Sequence, residues 1–229
     1  MFIAGFPAAA LGTNCYVAAG DGPGGTCVVV DPGLGVLADL DALLAEHRLT
    51  PVAVLLTHGH FDHVWSAAEL CAARDLPAYV HAADVGLLDD PTMGLPISLA
   101  QLVGPGRSYT GLEDPRLVAD GDVLELAGTA FTVDHVPGHT GGSVLYRTLG
   151  AEPVCFTGDV LFEGTIGRTD LPGGDSATMM ASLRDRLLTL DDATVCLPGH
   201  GARTTIGRER VSNPYLTGLA APDTRRTGF

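Results

Sequence analysis

The sequence contains no lysine, and all thirteen of its basic residues are arginine. Twenty-seven acidic residues outnumber them, so the formal net charge is −14. A protein that binds nucleic acid needs a basic face for the backbone phosphates. The charge balance therefore argues against nucleic acid as a partner.

Long hydrophobic runs and paired cysteines are also missing. No apolar stretch approaches the ~18 residues of a membrane helix, and residues 1–7 lack the basic start of a signal peptide. The five cysteines form no CxxC pair, and Cys27, Cys155 and Cys196 lie in apolar, strand-like runs. Such positions are typical of reduced, buried thiols in the cytosol. We therefore predict a cytoplasmic protein without membrane contact; the sequence indicates nothing about its oligomeric state.

Residues 57–63, with the sequence Thr-His-Gly-His-Phe-Asp-His, form a dense cluster of residue types that bind metals. The cluster directly follows the apolar run 52–56, which predicts a buried strand. It thus lies where a strand ends and a loop begins, a usual place for a site in an α/β protein. Nothing structural requires three imidazoles and a carboxylate so close together, and we interpret the cluster as a metal site.

Three further motifs each follow a predicted strand, at residues 137–142, 157–162 and 197–201. In each motif a ligand-type residue comes directly after a glycine, which lets the backbone approach a metal closely. These ligand-type residues are His139, Asp159 and His200. The other histidines are predicted to have structural places: His47 in a helix, His81 at the cap of the next helix and His135 within a strand.

Strand-like runs and helices occur in both halves of the chain without a linker between them. We predict one domain, 1–229, made of two similar halves at about 1–115 and 116–210 and a short C-terminal tail. The segment 91–111, rich in proline and glycine, is predicted to be a flexible loop near a substrate. Helices are predicted at about 39–47, 63–74, 82–89 and 176–190. Strands are predicted at 13–19, 26–30, 52–56, 76–81, 117–118, 123–126, 131–136, 143–147, 153–157 and 193–197.

The four motifs resemble those of the metallo-β-lactamase-fold hydrolases, and within them those of the glyoxalase II-like thioesterases. The resemblance runs from about 13 to 216. The sequence is most similar to small stand-alone glyoxalase II-like (hydroxyacylglutathione hydrolase-like) proteins, through residues 158–162, 167–170 and 198–201. It implies an α/β (α+β) fold, namely a four-layer αββα sandwich with a dinuclear metal site at one edge of the two sheets.

The resemblance also implies that seven side chains bind two divalent metal ions. Those expected on the first metal are His58, His60 and His139. Those expected on the second are Asp62, His63 and His200, and Asp159 would bridge both. Three imidazoles suit zinc, whereas the carboxylate in the second set tolerates iron or manganese. We therefore expect two metals, with zinc favoured and iron or manganese as alternatives, above all in the second site.

One further acid, Asp31 in a Val-Val-Asp-Pro-Gly segment, resembles the residue that orients a metal ligand by hydrogen bonding in the family. An aspartate that starts a turn before Pro-Gly is the alternative. The expected catalytic group consists of His58, His60, Asp62 and Asp159.

The implied reaction is hydrolysis of a small acyl thioester. Water bound to such metals loses its proton near pH ~7 rather than ~16, and the resulting bridging hydroxide would attack the thioester carbonyl. The thiolate then leaves, so no side-chain nucleophile is needed, in agreement with the absence of a Gly-x-Ser-x-Gly elbow.

Substrate contacts are less well defined by the sequence. Arg168 is a candidate for binding a substrate carboxylate, and an ion pair with Asp170 is the alternative. Longer glyoxalase II enzymes bind glutathione through a C-terminal helical region, but only 29 residues follow His200 here, so the thiol carrier stays open. Further candidates for the pocket wall are Asn14, Phe162 and the segment 91–111.

Three other functions compete with the thioesterase. A persulfide dioxygenase of the same fold would hold one iron through His58, His139 and Asp159 only, so the number of metals discriminates. A β-lactamase is disfavoured because the position of Asp159 does not usually hold a bridging carboxylate in that branch. A non-catalytic metal-binding scaffold is disfavoured because all seven ligand positions are filled.

Overall fold

Two six-stranded sheets form the centre of the protein, whose computed structural model describes residues 1–93, 98–149 and 153–219. The strands of the first sheet lie in chain order, with β1 to β3 antiparallel and β3 to β6 parallel. They are β1 (Phe2–Pro7), β2 (Asn14–Ala19), β3 (Thr26–Val30), β4 (Thr50–Leu55), β5 (Ala78–His81) and β6 (Arg116–Val118).

The second sheet has the order β14-β13-β10-β9-β8-β7, and a small hairpin, β11–β12, follows β10. Only β10 and β13 are parallel neighbours; the other pairs of this sheet are antiparallel. The strands are β7 (Val123–Leu126), β8 (Thr129–His135), β9 (Val144–Thr148), β10 (Val154–Gly158), β11 (Leu161–Phe162), β12 (Thr165–Ile166), β13 (Val195–Pro198) and β14 (Thr204–Thr205).

The helices are short, and none in the described ranges is long and apolar enough to cross a membrane. They are α1 (Leu37–His47), α2 (Phe61–Val64), α3 (Ala67–Arg74), α4 (Val85–Asp89), α5 (Leu99–Val103), α6 (Ser176–Asp185), α7 (Ile206–Ser212) and α8 (Pro214–Thr217), with 3₁₀ turns at Ala82–Asp84 and Leu187–Thr189.

Three apolar clusters separate four layers. The middle cluster lies between the sheets, and β3 shows why: Val28 and Val30 point into it, whereas Cys27 and Val29 point into the cluster beneath α1 and α3. A third cluster joins the outer face of the second sheet to α6, α7 and α8. Continuous apolar runs such as β3 are therefore buried on both faces. The layer order is helix, sheet, sheet, helix, which confirms the predicted αββα sandwich.

The structure corrects several predicted elements. The helix expected at 63–74 is interrupted and forms α2 and α3, and the one at 176–190 ends at Asp185 before a 3₁₀ turn. The segment 91–111 contains α5, whose first turn is fixed by a capping box between Ser98 and Gln101; residues 94–97 of that segment lie outside the described residues. β1 was not predicted at all.

The chain divides between the sheets close to the predicted halves. The first sheet uses strands up to Val118 and the second begins at Val123. The assignment of both to one domain, 1–229, stays a prediction. In the predicted tail, residues 220–229 lie outside the described residues. All five cysteines are free, and four of them are buried.

Candidate metal centre

The sheet topology brings the predicted ligands to one edge. Asp31 follows β3 and the segment 57–63 follows β4, and these strands are parallel. In the second sheet β10 and β13 are parallel, and β8 runs in the same direction because β8 and β10 are both antiparallel to β9. His139, Asp159 and His200 lie beyond the ends of these three strands.

Side chains from both sheets meet there in three overlapping groups. In each group, every residue offers one potential metal-ligand atom, and these atoms lie within 4.8 Å of one another. The groups are His58, His60 and His139; His58, His63 and Asp159; and Asp62, His63 and His200. The first group is the set predicted for the first metal, and the third is the set predicted for the second. The structure therefore brings all seven predicted residues together.

The carboxylate of Asp159 lies between the two outer groups. Its Oδ1 is 3.3 Å from His63 Nε2, and its Oδ2 is 3.6 Å from His139 Nε2 and 3.6 Å from His200 Nε2. A carboxylate with contacts to both groups is in the position expected of a bridging ligand.

Four buried nitrogen or oxygen atoms that could bind a metal have no hydrogen-bond partner. They are His58 Nε2, His63 Nε2, His139 Nε2 and Asp159 Oδ1. An unpaired buried polar atom costs about 1–3 kcal/mol, and such atoms are rare in proteins. Nitrogen and carboxylate oxygen donors are ligands that divalent transition metals bind. The cluster of unpaired donors therefore fits a metal centre.

Hydrogen bonds on the far side of the rings fix which imidazole nitrogen is free. Nδ1 of His63 donates to Asp31 Oδ2 at 2.9 Å, and Nδ1 of His139 donates to the carbonyl of Arg168 at 2.8 Å. Nδ1 of His58 contacts Thr57 Oγ1 at 3.1 Å. Because each Nδ1 donates on the far side, each Nε2 faces the centre, as a lone pair in His58 and His139 and, after a metal displaces its proton, in His63.

Asp31 supports two of these rings from a buried position. Besides His63, its carboxylate accepts hydrogen bonds from the backbone N–H of Thr57 at 2.8 Å and from the Thr57 hydroxyl at 2.6 Å. The hydroxyl proton is thus used, so Thr57 Oγ1 accepts from His58. Asp31 also has a positive φ of 50°. The structure therefore shows the orienting contacts, whereas residues 31–33 form no turn and the next turn is at 34–35.

The two outer groups differ in their electrostatics. Burial lowers the pKa of the three imidazoles in the first group, and that of His60 falls to about 3. Burial also opposes protonation of His63, but nearby carboxylates hold its pKa well above the usual value. A hydrogen bond with Asp62 raises the pKa of His200. The first group is neutral at pH 7, whereas carboxylates in and beside the second favour the protonated form of its imidazoles. A bound cation would take the place of those protons.

Two glycines let the backbone approach this centre. A Cβ on Gly199 would contact Asp159 Oδ1 and would lie 2.5 Å from His63 Cε1. A Cβ on Gly167 would overlap the carbonyl oxygen of Asp159 and lie 3.2 Å from His139 Nδ1. The glycine before His200 is therefore required by space, as expected from the Pro-Gly-His motif.

A cavity of about 260 Å³ opens beside the centre. Its lining combines the ligand candidates His60, Asp62, His139, Asp159 and His200 with apolar side chains. These are Leu11, Phe61, Leu87, Pro91, Met93, Leu171 and Pro172. Pro91 and Met93 belong to the segment 91–111, so part of that segment lies where the substrate loop was predicted.

The candidate substrate contacts occupy different places. Arg168 lines the cavity, but its guanidinium forms two 2.8 Å hydrogen bonds with Asp170 and is 59% exposed. Asn14 donates to the carbonyls of Pro198 at 2.9 Å and Gly201 at 3.0 Å. It thus supports the loop that carries His200. The ring of Phe162 lies 6.2 Å from that of His200.

The other histidines lie outside the three groups. His81 caps the following turn as predicted, since its Nδ1 accepts from the N–H of Ala83 at 3.3 Å. Its ring also stacks on that of His135 at 4.0 Å, a contact that sequence patterns did not suggest. His47 ends α1 and lies against Phe2.

One buried acid near the centre, Asp84, was not predicted from the sequence. It is 1% exposed and lies in the 3₁₀ turn after β5. The only signal was a charged residue in an apolar segment between a buried strand and a helix.

Comparison with known proteins identifies the family. A model described as the metallo-beta-lactamase superfamily matches residues 8–200. The hydroxyacylglutathione hydrolase GloC of Haemophilus influenzae is 37% identical over 211 residues, which cover 92% of this chain and 95% of GloC.

Two solved structures show the same similarity. The BLEG-1 B3 metallo-beta-lactamase is 36% identical, with a TM-score of 0.83 and coverage of 95% of this chain and 100% of that one. TTHA1623, in a di-iron-bound form, is 37% identical, with a TM-score of 0.78 and coverage of 94% of this chain and 100% of that one. The chain therefore belongs to the metallo-beta-lactamase superfamily of metal-dependent hydrolases.

Proposed function

We propose that the protein hydrolyses small acyl thioesters at a two-metal centre. The observation that carries this proposal is the position of Asp159, whose carboxylate contacts both outer groups while one of its oxygens has no hydrogen-bond partner. The first metal would be held by His58, His60 and His139. The second would be held by Asp62, His63 and His200.

The bound metals would supply a lowered pKa for coordinated water and polarisation of a carbonyl oxygen. The protein's own residues prepare the centre for them. Asp31 and the carbonyl of Arg168 accept the Nδ1 protons of His63 and His139, so that Nε2 of each ring faces the centre. The first group favours zinc because its three donors are neutral imidazoles.

The cavity next to the centre is suited to a small acyl group. Its volume of about 260 Å³ lies below the ~300–1,000 Å³ of pockets for drug-sized ligands. Its seven apolar lining residues suit an acyl chain. A thiolate is a good leaving group and needs little help from an acid, and no acid other than the ligand candidates lines the cavity in the described residues.

The similarity to GloC favours a thioester as the substrate, because that relative is named a hydroxyacylglutathione hydrolase. The similarity to BLEG-1 favours a second candidate, β-lactam hydrolysis, since that protein is named a B3 metallo-beta-lactamase. The bridging position of Asp159 supports the thioesterase over the β-lactamase. The third group, with Asp62, His63 and His200, would hold the second metal. A persulfide dioxygenase retains the 58–63 cluster as well, so the number of metals bound distinguishes it from the hydrolase.

Paired assays on the purified protein test the proposal. Elemental analysis should find close to two metals per chain, and release of free thiol from small acyl thioesters should be faster than turnover of β-lactams. Oxygen uptake on glutathione persulfide should be absent. One iron per chain, with oxygen uptake and no thioester cleavage, would show that the protein is the dioxygenase instead.

A further inference from the structure

Asp84 is a buried carboxylate outside the three groups of metal-ligand candidates. Its Oδ2 accepts hydrogen bonds from the backbone N–H of Gly59 at 2.8 Å and from the Thr140 hydroxyl at 2.7 Å. Its Oδ1 accepts from the backbone N–H of Gly142 at 2.7 Å. Both oxygens are therefore occupied by donors from elsewhere in the chain.

These donors lie beside the ligands of the first group. Gly59 separates His58 from His60, and Thr140 directly follows His139. The two loops come from different sheets, one after β4 and the other after β8. Asp84, at the end of a third strand, is thus a direct polar link between the loops that supply all three imidazoles.

The loops also pack against Asp84 without spare room. A Cβ on Gly142 would lie 2.5 Å from Asp84 Cγ, and a Cβ on Gly59 would lie 2.9 Å from the Asp84 carbonyl oxygen and 2.8 Å from Leu87 Cβ. Gly59 and Gly142 are therefore explained by the close approach of Asp84 and of its neighbour Leu87.

An aspartate is required here because a backbone N–H can only donate. An asparagine has one acceptor oxygen and one NH₂ group. In either orientation its NH₂ group would face a backbone N–H, that of Gly59 or that of Gly142. One of the two loops would then lose its contact.

We propose that Asp84 is a positioning residue that holds His58, His60 and His139 as one three-nitrogen face and so sets the affinity of the first metal site. This inference rests on the proposed two-metal function. Asp31 differs because it contacts a ligand ring directly, whereas Asp84 acts through the two loop backbones.

The test compares Asp84→Asn with Asp122→Asn in the zinc-loaded protein. Asp122 is an exposed aspartate that also accepts a backbone hydrogen bond, from Ala119 at 2.8 Å, so it is a matched control. Zinc affinity is measured by competition with a chromophoric chelator. Loss of a partner that orients metal ligands typically weakens binding ~10–100-fold. We expect that loss for one zinc equivalent in Asp84→Asn, no change in the other, and no change at all in Asp122→Asn.

A second pair of variants decides the matter if Asp84→Asn does not fold. Thr140→Val removes one hydrogen bond to Asp84, and Thr140→Ser keeps the hydroxyl. Thr140→Val should lower the affinity for the same zinc equivalent by a smaller factor than Asp84→Asn does. Thr140→Ser should keep the wild-type affinity. The visible absorption of Co²⁺ in the first site should change with valine and return with serine.

Two results would overturn the inference. If both zinc equivalents kept wild-type affinity in Asp84→Asn and Thr140→Val, or if both weakened equally, Asp84 would stabilise the fold only. Those results would leave the proposed function intact. A wild-type protein that bound no divalent metal ion would contradict the inference and the proposed function together.

Discussion

The two outer groups of the centre differ in composition and in electrostatics. His58, His60 and His139 are neutral imidazoles on two loops, and burial lowers their pKa. The other group places the carboxylate of Asp62 beside His63 and His200, and the pKa of both imidazoles is raised. The difference shows that one edge of a sandwich can place a set of neutral imidazoles next to a set in which a carboxylate favours imidazole protonation.

The largest effect should come from the residue that joins the two groups. Asp159→Asn replaces one carboxylate oxygen with an NH₂ group that cannot bind a metal. We expect metal content to fall from about two to one or fewer per chain and kcat/KM for a thioester to fall by about 10²-fold or more. Elemental analysis and thiol release measure both changes.

Asp41→Asn is the control for this prediction, because Asp41 is an exposed carboxylate in a surface ion pair with Arg74. It should change neither quantity. Wild-type metal content in Asp159→Asn would contradict a bridging role.

Removing one ligand from each group should separate the two sites. His139→Ala and His200→Ala should each retain about one metal and lose about 10–100-fold in activity. After exposure to equal concentrations of zinc and manganese, the His139→Ala protein should retain more manganese than the His200→Ala protein, since the group with Asp62 remains. Metal analysis of the paired variants measures this preference. Identical metal content in the two proteins would mean that the groups are not distinct.

The metal-free protein should show the contrast in its pH dependence. The pKa of His60 is about 3, below the ~6.5 of an unfolded histidine. Its contribution to stability is therefore complete above ~6.5 and is lost as the pH falls towards 3. The raised pKa of His63 has the opposite sign: its contribution is complete below ~6.5 and is lost as the pH rises through the raised pKa.

Imidazole NMR signals followed from pH 4 to 9 report both titrations. We expect His60 to stay neutral over this range and His63 to stay protonated above pH ~6.5. Zinc-loaded protein is the control, because bound metal replaces the proton at Nε2. Titration of both residues near 6.5 would remove the electrostatic distinction between the groups.

The seven ligand candidates were accessible from the sequence because each follows a short strand signal and belongs to a dense or glycine-flanked motif. Local patterns also located β3 and β4, whose apolar runs reflect burial on both faces. The edge strand β1 was missed because Gly5 and Pro7 weaken its pattern and its side chains are only partly buried.

Asp84 was missed for a different reason. Its partners Gly59, Thr140 and Gly142 lie 25, 56 and 58 residues away, and no local period connects them. Which loops meet at a carboxylate depends on the register of the two sheets, which a single sequence does not reveal. The break between α2 and α3 has the same origin: the N–H of Ser66 donates to the carbonyl of Pro32 at 2.9 Å instead of continuing one helix.

The smallest effect is expected at Arg168, whose two ends serve different purposes. Its carbonyl accepts the Nδ1 proton of His139 and is retained in Arg168→Ala, so the first metal should be unaffected. Its exposed guanidinium is already paired with Asp170, and such pairs contribute only ~0–1 kcal/mol. We therefore expect KM for a carboxylate-bearing thioester to rise less than about fivefold.

Arg184→Ala is the matched control, because Arg184 forms a similar exposed pair with Asp185 outside the cavity lining. A larger rise in KM, confined to Arg168→Ala and to thioesters with a carboxylate, would show that Arg168 exchanges Asp170 for the substrate.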